Sequence, residues 1–112
     1  MNADDFTFGI EIETHMPTGS VQTGGHGAGR QVPWLPHGWL ADNDPSIITP
    51  HAGRIPCEFV SPVLRGAAGL REAMNTINEI RNRGGRINTS CGLHIHVGFD
   101  KSNAAAVGRL IN

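Results

Sequence analysis

The sequence predicts an α+β domain, a mostly antiparallel sheet with helices on one face. Three observations carry this. Residues 6–14, 54–60 and 90–98 alternate apolar and polar side chains, the period of strands with one apolar face. Leu70, Ala73, Met74, Ile77 and Ile80 recur at spacings of three and four, the period of a helix with one apolar stripe. Gly and Pro are abundant (15 and 7) and aromatic residues few, so loops should be many and the core thin. Antiparallel pairing is expected around the first and last strands. Leu70, Met74, Ile77 and Ile80 are expected to be buried against Ile10, Ile12, Leu93, Ile95 and Val97.

The first strand runs from Phe6 to Thr14. Phe8, Ile10 and Ile12 form its apolar row, and Gly9, Glu11 and Glu13 the polar one. Met16 to Gly38 has no period. Its glycines define a flexible loop over 16–37. The stretch Gly24 to Arg30 is Gly-rich but lacks the Gly-Lys-Ser/Thr ending of a phosphate loop, and no helix pattern follows. It reads as a lid or a solvated connector. Gly38 to Asp42 is a short strand and Asn43 to Ser46 a turn. Arg54 to Val60 is a strand with Ile55, Cys57 and Phe59 on one face and Glu58 on the other. The helix follows and stops at Gly84-Gly85. Ile87-Asn88 opens the last strand. A further helix is expected after Asp100 or Ser102, through Ala104 to Ile111.

Charge and composition exclude several classes. Nine Lys plus Arg against ten Asp plus Glu leave a net charge of −1, with no basic surplus to suggest nucleic acid. No apolar run approaches the roughly 20 residues of a membrane span, and the acidic, polar Met1 to Asp5 is no secretory signal. Cys57 and Cys91, without a CxxC pair, read as reduced core residues of a cytoplasmic protein, with a disulfide between them as the alternative.

The last strand organises the rest. Cys91, Leu93, Ile95, Val97 and Phe99 share its apolar face, and Gly92, His94, His96 and Gly98 the other. Two imidazoles therefore stand on one face between glycines that leave space near the backbone. Three of the five Glu, namely Glu11, Glu13 and Glu58, also lie on strands among apolar neighbours. If these strands pair, three carboxylates and two imidazoles converge. Crowded carboxylates repel one another, and a divalent cation removes that cost. A mainly carboxylate set suits Mg2+ or Mn2+. Alternatively, the Glu-x-Glu is a solvated acidic face and the His-x-His binds nothing. A cupin-type site would want a Glu shortly after His96, and Gly98 to Lys101 offers none.

Phe8-Gly9-Ile10-Glu11-Ile12-Glu13, Gly38-Trp39 with Asp44 and Ser46, Cys57-Glu58-Phe59-Val60-Ser61-Pro62-Val63-Leu64 with Gly66, and Asn88 to Gly98 stand in order over residues 6 to 100. Together they resemble the phage and bacterial amidoligase family, part of the carboxylate–amine ligase superfamily of glutamine synthetase and glutamate–cysteine ligase. The resemblance implies a glutamine synthetase-like catalytic half-domain: an antiparallel sheet backed by helices, with metals and nucleotide on the open face. It implies ATP-dependent amide formation through an acyl phosphate, with ATP and Mg2+ or Mn2+ as cofactors and small-molecule or peptide carboxylates and amines as substrates. Glu11, Glu13, Glu58 and His94 then match catalytic metal ligands, and His96 a residue near the nucleotide phosphates. Asp44 and Ser46 match an Asp-x-Ser motif that supports cofactor or substrate. Family members are longer. Residues 1–112 are therefore expected to be the N-terminal, metal-binding portion of a truncated domain, completed by a missing C-terminal half or a homo-oligomer. The alternative function is a non-catalytic or degenerate metal- or nucleotide-binding module derived from such a ligase.

Overall fold

The computed structural model describes residues 6–25 and 28–98. The helix expected after Asp100 or Ser102, and Phe99, lie outside them. Six strands and one helix follow in order: β1 (Thr7–Pro17), β2 (Arg30–Gln31), β3 (Leu40–Asp42), β4 (Arg54–Val60), β5 (Leu64–Arg65), α1 (Gly66–Asn82) and β6 (Leu93–Gly98). All strand pairings are antiparallel. This is the expected α+β class.

β1 is the centre of the sheet. Glu11 and Ile12 pair with both β4 and β6, and Thr7 and Phe8 with both β5 and β6. A strand has only two edges, so β4 and β5 share one and β6 occupies the other. β3 extends the sheet beyond β4, and β2 beyond β3. The ladder to β4 closes at Ser61, whose N–H donates to the Ile10 carbonyl at 2.9 Å while its Oγ accepts the Ile10 N–H at 2.8 Å. The hydroxyl thus does the work of a carbonyl where the chain turns into Pro62. Ser61→Ala is expected to cost about 1–3 kcal/mol, the penalty of a half-buried donor left without its partner. A denaturation midpoint equal to that of the wild type would contradict this.

Paired residues in a sheet share a face, so the register fixes both sides. The apolar side carries Phe8, Ile10, Ile12 and Met16 of β1, Cys57 and Phe59 of β4, and Ala41 of β3, all buried. Val21, Val32, Leu35 and Trp39 join this core from the connections. The 16–37 stretch is therefore more than a connector: four of its residues, Met16, Val21, Val32 and Leu35, are core, and Arg30–Gln31 pairs with β3.

The helix departs in part from the expectation: Ile80 is buried as expected, but the rest of the row expected to be buried is not. Gly66, Gly69, Ala73, Thr76 and Ile80 are its buried row, while Leu70, Met74 and Ile77 are exposed among the described residues. The two rows are offset by one residue, about 100° around the helix. The small row faces the sheet because the approach is close: a Cβ on Gly69 would lie 2.9 Å from the Cβ of Leu64. Leu93 and Ile95 of β6 are likewise exposed. The C-terminus closes as read. Gly84 has φ 98°, its N–H donates to Arg81, and the Gly85 N–H donates to Ile80, the pattern of a Schellman cap. The last strand begins at Leu93, not Ile87. Asn88 Oδ1 accepts the Ser90 N–H and hydroxyl, holding 88–90 in a turn.

Candidate metal centre

The polar face is built in rows by the same register. Asp42, Glu58 and Glu13 form one row across β3, β4 and β1. Glu11 opposes His94, and Gly9 opposes His96. Glu11, Glu13, Glu58, His94 and His96 thus share one face of one sheet. Asp44 reaches it from the turn after β3, where its Oδ1 accepts the Ser46 N–H at 3.0 Å and the Ser46 hydroxyl at 2.6 Å.

Depth varies across the face. Asp44 and Glu58 are buried, Glu11 and Glu13 half-buried, and both imidazoles exposed. Glycine makes room at the rim: a Cβ on Gly92 would lie 3.0 Å from Glu13 Oε1 and 3.5 Å from His94 Nε2. Glu13, Asp44 and Glu58 each bring a carboxylate oxygen within 4.8 Å of the other two. Beside them, His96 Nε2 lies 2.6 Å from Glu11 Oε1. A carboxylate only accepts, so an ionised Glu11 places the proton on that ring nitrogen.

Crowding and burial set the charge states. Burial raises the Glu58 carboxyl to about 7, aided by its hydrogen bond to Glu11 and the charges of Glu11, Asp44 and Glu13. Glu11 is held below its ordinary value by that hydrogen bond from Glu58 and by His96. Burial, then Asp44, raises Glu13. A proton therefore sits on Glu58 near neutrality, where it relieves the repulsion of the group.

These residues fit Mg2+ or Mn2+. All three donors are hard oxygens. Neighbouring oxygens around one Mg2+, at about 2.1 Å each, are about 3.0 Å apart, so carboxylates that lie within 4.8 Å of one another would have to draw together to share one ion. Sequence reasoning gave Asp44 a supporting part and put Glu11 among the ligands; the geometry groups Asp44 with Glu13 and Glu58, and joins Glu11 to both Glu58 and His96. The Asp-x-Ser spacing was the available signal, because a Ser two residues after an Asp fixes its carboxylate in a turn.

The two cysteines are unpaired. Cys57 is a core residue whose thiol burial pushes up to about 12, whereas Cys91 is only half-buried. Among the described residues no helix is long and apolar enough to cross a membrane.

No curated protein and no solved structure gives a significant match to the chain. The family described as "Putative amidoligase enzyme" matches residues 26–112, more than three quarters of the sequence. Asp44, Ser46, Glu58, His94 and His96 fall inside the matched span, and Glu11 and Glu13 on β1 precede it. The order of motifs on the polar face and the matched span agree: this chain belongs to the amidoligase family.

Proposed function

We propose that this chain carries the metal- and nucleotide-handling face of an ATP-dependent carboxylate–amine ligase. The observation that supports it is the Glu13, Asp44 and Glu58 group beside the Glu11–His96 pair on one sheet face. In the reaction, the γ-phosphoryl group of ATP passes to a substrate carboxylate oxygen and ADP leaves. An amine nitrogen then attacks the acyl carbon, the bond to phosphate breaks, and the nitrogen gives up a proton. Mg2+ or Mn2+ would neutralise charge on the phosphate oxygens. Glu13, Asp44 and Glu58 would hold it, with His94 at the rim as a further donor. Glu11 fixes the His96 ring, so His96 offers the phosphates a ring that is exposed but oriented.

Ser46 is a positioning residue in this reading, since its hydroxyl fixes the Asp44 carboxylate. Ser46→Ala should weaken Mn2+ binding by roughly 10-fold, the low end of what loss of a ligand's hydrogen-bond partner costs. The metal-free melting temperature should barely move. Titration calorimetry that returns the wild-type affinity would contradict it.

The activity test supplies ATP, Mg2+ or Mn2+ and a panel of small and peptide carboxylates, with hydroxylamine as the amine. The expected products are ADP and an acyl hydroxamate in equal amounts, both lost in Glu13→Gln. Metal binding with no ADP release on any carboxylate would overturn ligase activity for residues 1–112 by themselves and leave them a non-catalytic metal-binding module.

A further inference from the structure

Two connections that flank the acidic group are joined to each other, side chain to main chain. One is the turn after β3. Its Asp44 carbonyl accepts the Ile47 N–H at 3.1 Å, and the Asp44 carboxylate holds Ser46. The other is the turn into β6, closed where the Cys91 N–H donates to the Asn88 carbonyl at 3.0 Å. Both main-chain groups of Ile48 are taken up by this second turn. The Ile48 N–H donates to Ser90 Oγ at 2.8 Å, and the Ile48 carbonyl accepts Asn88 Nδ2 at 2.7 Å. The Ser90 hydroxyl in turn donates to Asn88 Oδ1 at 2.5 Å, which closes the ring. Only one orientation of the Asn88 amide serves it: turned over, the NH2 would face the Ser90 N–H and the oxygen the Ile48 carbonyl. Burial of Ile48 does not explain the join. Ile47 is buried, but the Ile48 side chain is 70% exposed.

We propose that Asn88 and Ser90 are positioning residues of the metal-binding face, latching the turn that carries Asp44 to the turn that enters β6. The role depends on that face holding a divalent metal. Of the three grouped carboxylates, Glu13 and Glu58 stand on paired strands, opposite each other in the β1–β4 ladder. Asp44 stands outside every strand, so its place depends on a connection. The latch grips that connection at Ile48, just past the turn that orients Asp44. On the other side, the chain leaves Ser90 and reaches Gly92, whose carbonyl accepts the Glu13 N–H at 2.9 Å. A Cβ on Gly92 would meet Glu13 Oε1, so the same backbone also bounds the Glu13 carboxylate. Asp44 and Glu13 are thus tied to the two turns that the latch joins. The carboxylates have to draw together to share one ion. A turn released from the latch would have to be ordered again on binding, and that entropy would be lost from the affinity.

The test compares the 112-residue chain with Asn88→Ala, Ser90→Ala and Ser90→Thr, and with Thr89→Ala, exposed in the same turn, as the control. Titration calorimetry reads the Mn2+ affinity. Asn88→Ala and Ser90→Ala should each weaken it roughly 10-fold, the low end of what loss of an outer partner of a metal site costs. Ser90→Thr keeps the hydroxyl and should bind like the wild type, as should Thr89→Ala. The metal-free melting temperature should barely move, because the latch bonds lie at the surface. In the metal-free chain, amide hydrogen exchange should quicken several-fold at Ile48 and Ser46 in both alanine variants. Ile48 reports the latch, and Ser46, which donates to Asp44 Oδ1, reports the carboxylate. Wild-type affinity in Asn88→Ala, or unchanged exchange at Ser46, would overturn the positioning role and leave the metal reading standing. So would an equal loss of affinity in Thr89→Ala, or a loss matched by a large fall in the metal-free melting temperature, which would mark a merely structural part. A wild type that binds no Mn2+ would overturn the metal reading itself, and this role with it.

Discussion

Raising the pH from 5 to 8 without divalent metal is expected to lower the melting temperature, and Mn2+ at pH 8 is expected to restore it. The cause is Glu58. Its folded value is about 7, against 4.5 ordinarily. Between those values the native state binds more protons than the unfolded chain, so stability falls as pH rises, and the loss is complete above about 7. At about 1.4 kcal/mol per pKa unit, this amounts to about 3 kcal/mol at most. Glu13, also raised, acts in the same direction. Glu11 acts in the opposite one: its lowered value contributes stability above its ordinary 4.5 that disappears as pH falls through the folded value. Metal needs the ionised carboxylates, so its stabilisation should be larger at pH 8 than at 5.5. At 100 times the dissociation constant it reaches about 2.7 kcal/mol. Glu58→Gln keeps the shape and removes the charge. The metal-free variant should melt above the wild type at pH 8, and most of the response to Mn2+ should vanish. Thermal unfolding at pH 5, 6.5 and 8, with and without Mn2+, reads all of this. A flat metal-free profile for the wild type, or an undiminished Mn2+ response in the variant, would contradict it.

The shared face was legible because strand alternation and pairing register are both local rules. Glu11 and Glu58 each stand between apolar neighbours, Glu13 follows Ile12, and β4 has the predicted bounds, Arg54–Val60. β1 runs three residues further than its pattern suggests, since Thr14 interrupts the apolar row although Met16 continues it into the core. β2 and β5 have two residues each, too few to show any period; they exist through their partners. The loop valines and Leu35 could not be placed either, because single apolar residues become core only through contacts distant in sequence. On α1, the apolar spacing found Ala73 and Ile80 but also pointed to Leu70, Met74 and Ile77, whereas close approach selected Gly69 and Thr76. Asp44 shows the same limit at the site. Its spacing to Ser46 announces the turn, but its reach to Glu13 and Glu58 depends on how that turn folds over the sheet.

Trp39→Ala is expected to be the most damaging single truncation. Trp39 is 0% exposed and stands just before β3, in the core between sheet and helix. Its Nε1–H donates to Glu72 Oε2 at 2.9 Å, tying the start of β3 to the middle of α1. Truncation removes the indole from the core, at about 3–5 kcal/mol for a buried aromatic, and leaves the Glu72 carboxylate without its donor. A domain of this size has little more than that to lose. Trp39→Phe separates the two contributions: it keeps most of the apolar surface and loses the donor, at about 1 kcal/mol. Glu72→Gln retains an acceptor and should cost less than either. Circular dichroism in urea gives all three midpoints, with the order Ala lowest, then Phe, then the Glu72 variant. If Trp39→Ala unfolds at the wild-type midpoint, the indole does not join sheet to helix. If Trp39→Phe is as damaging as Trp39→Ala, the hydrogen bond rather than the packing holds α1 in place.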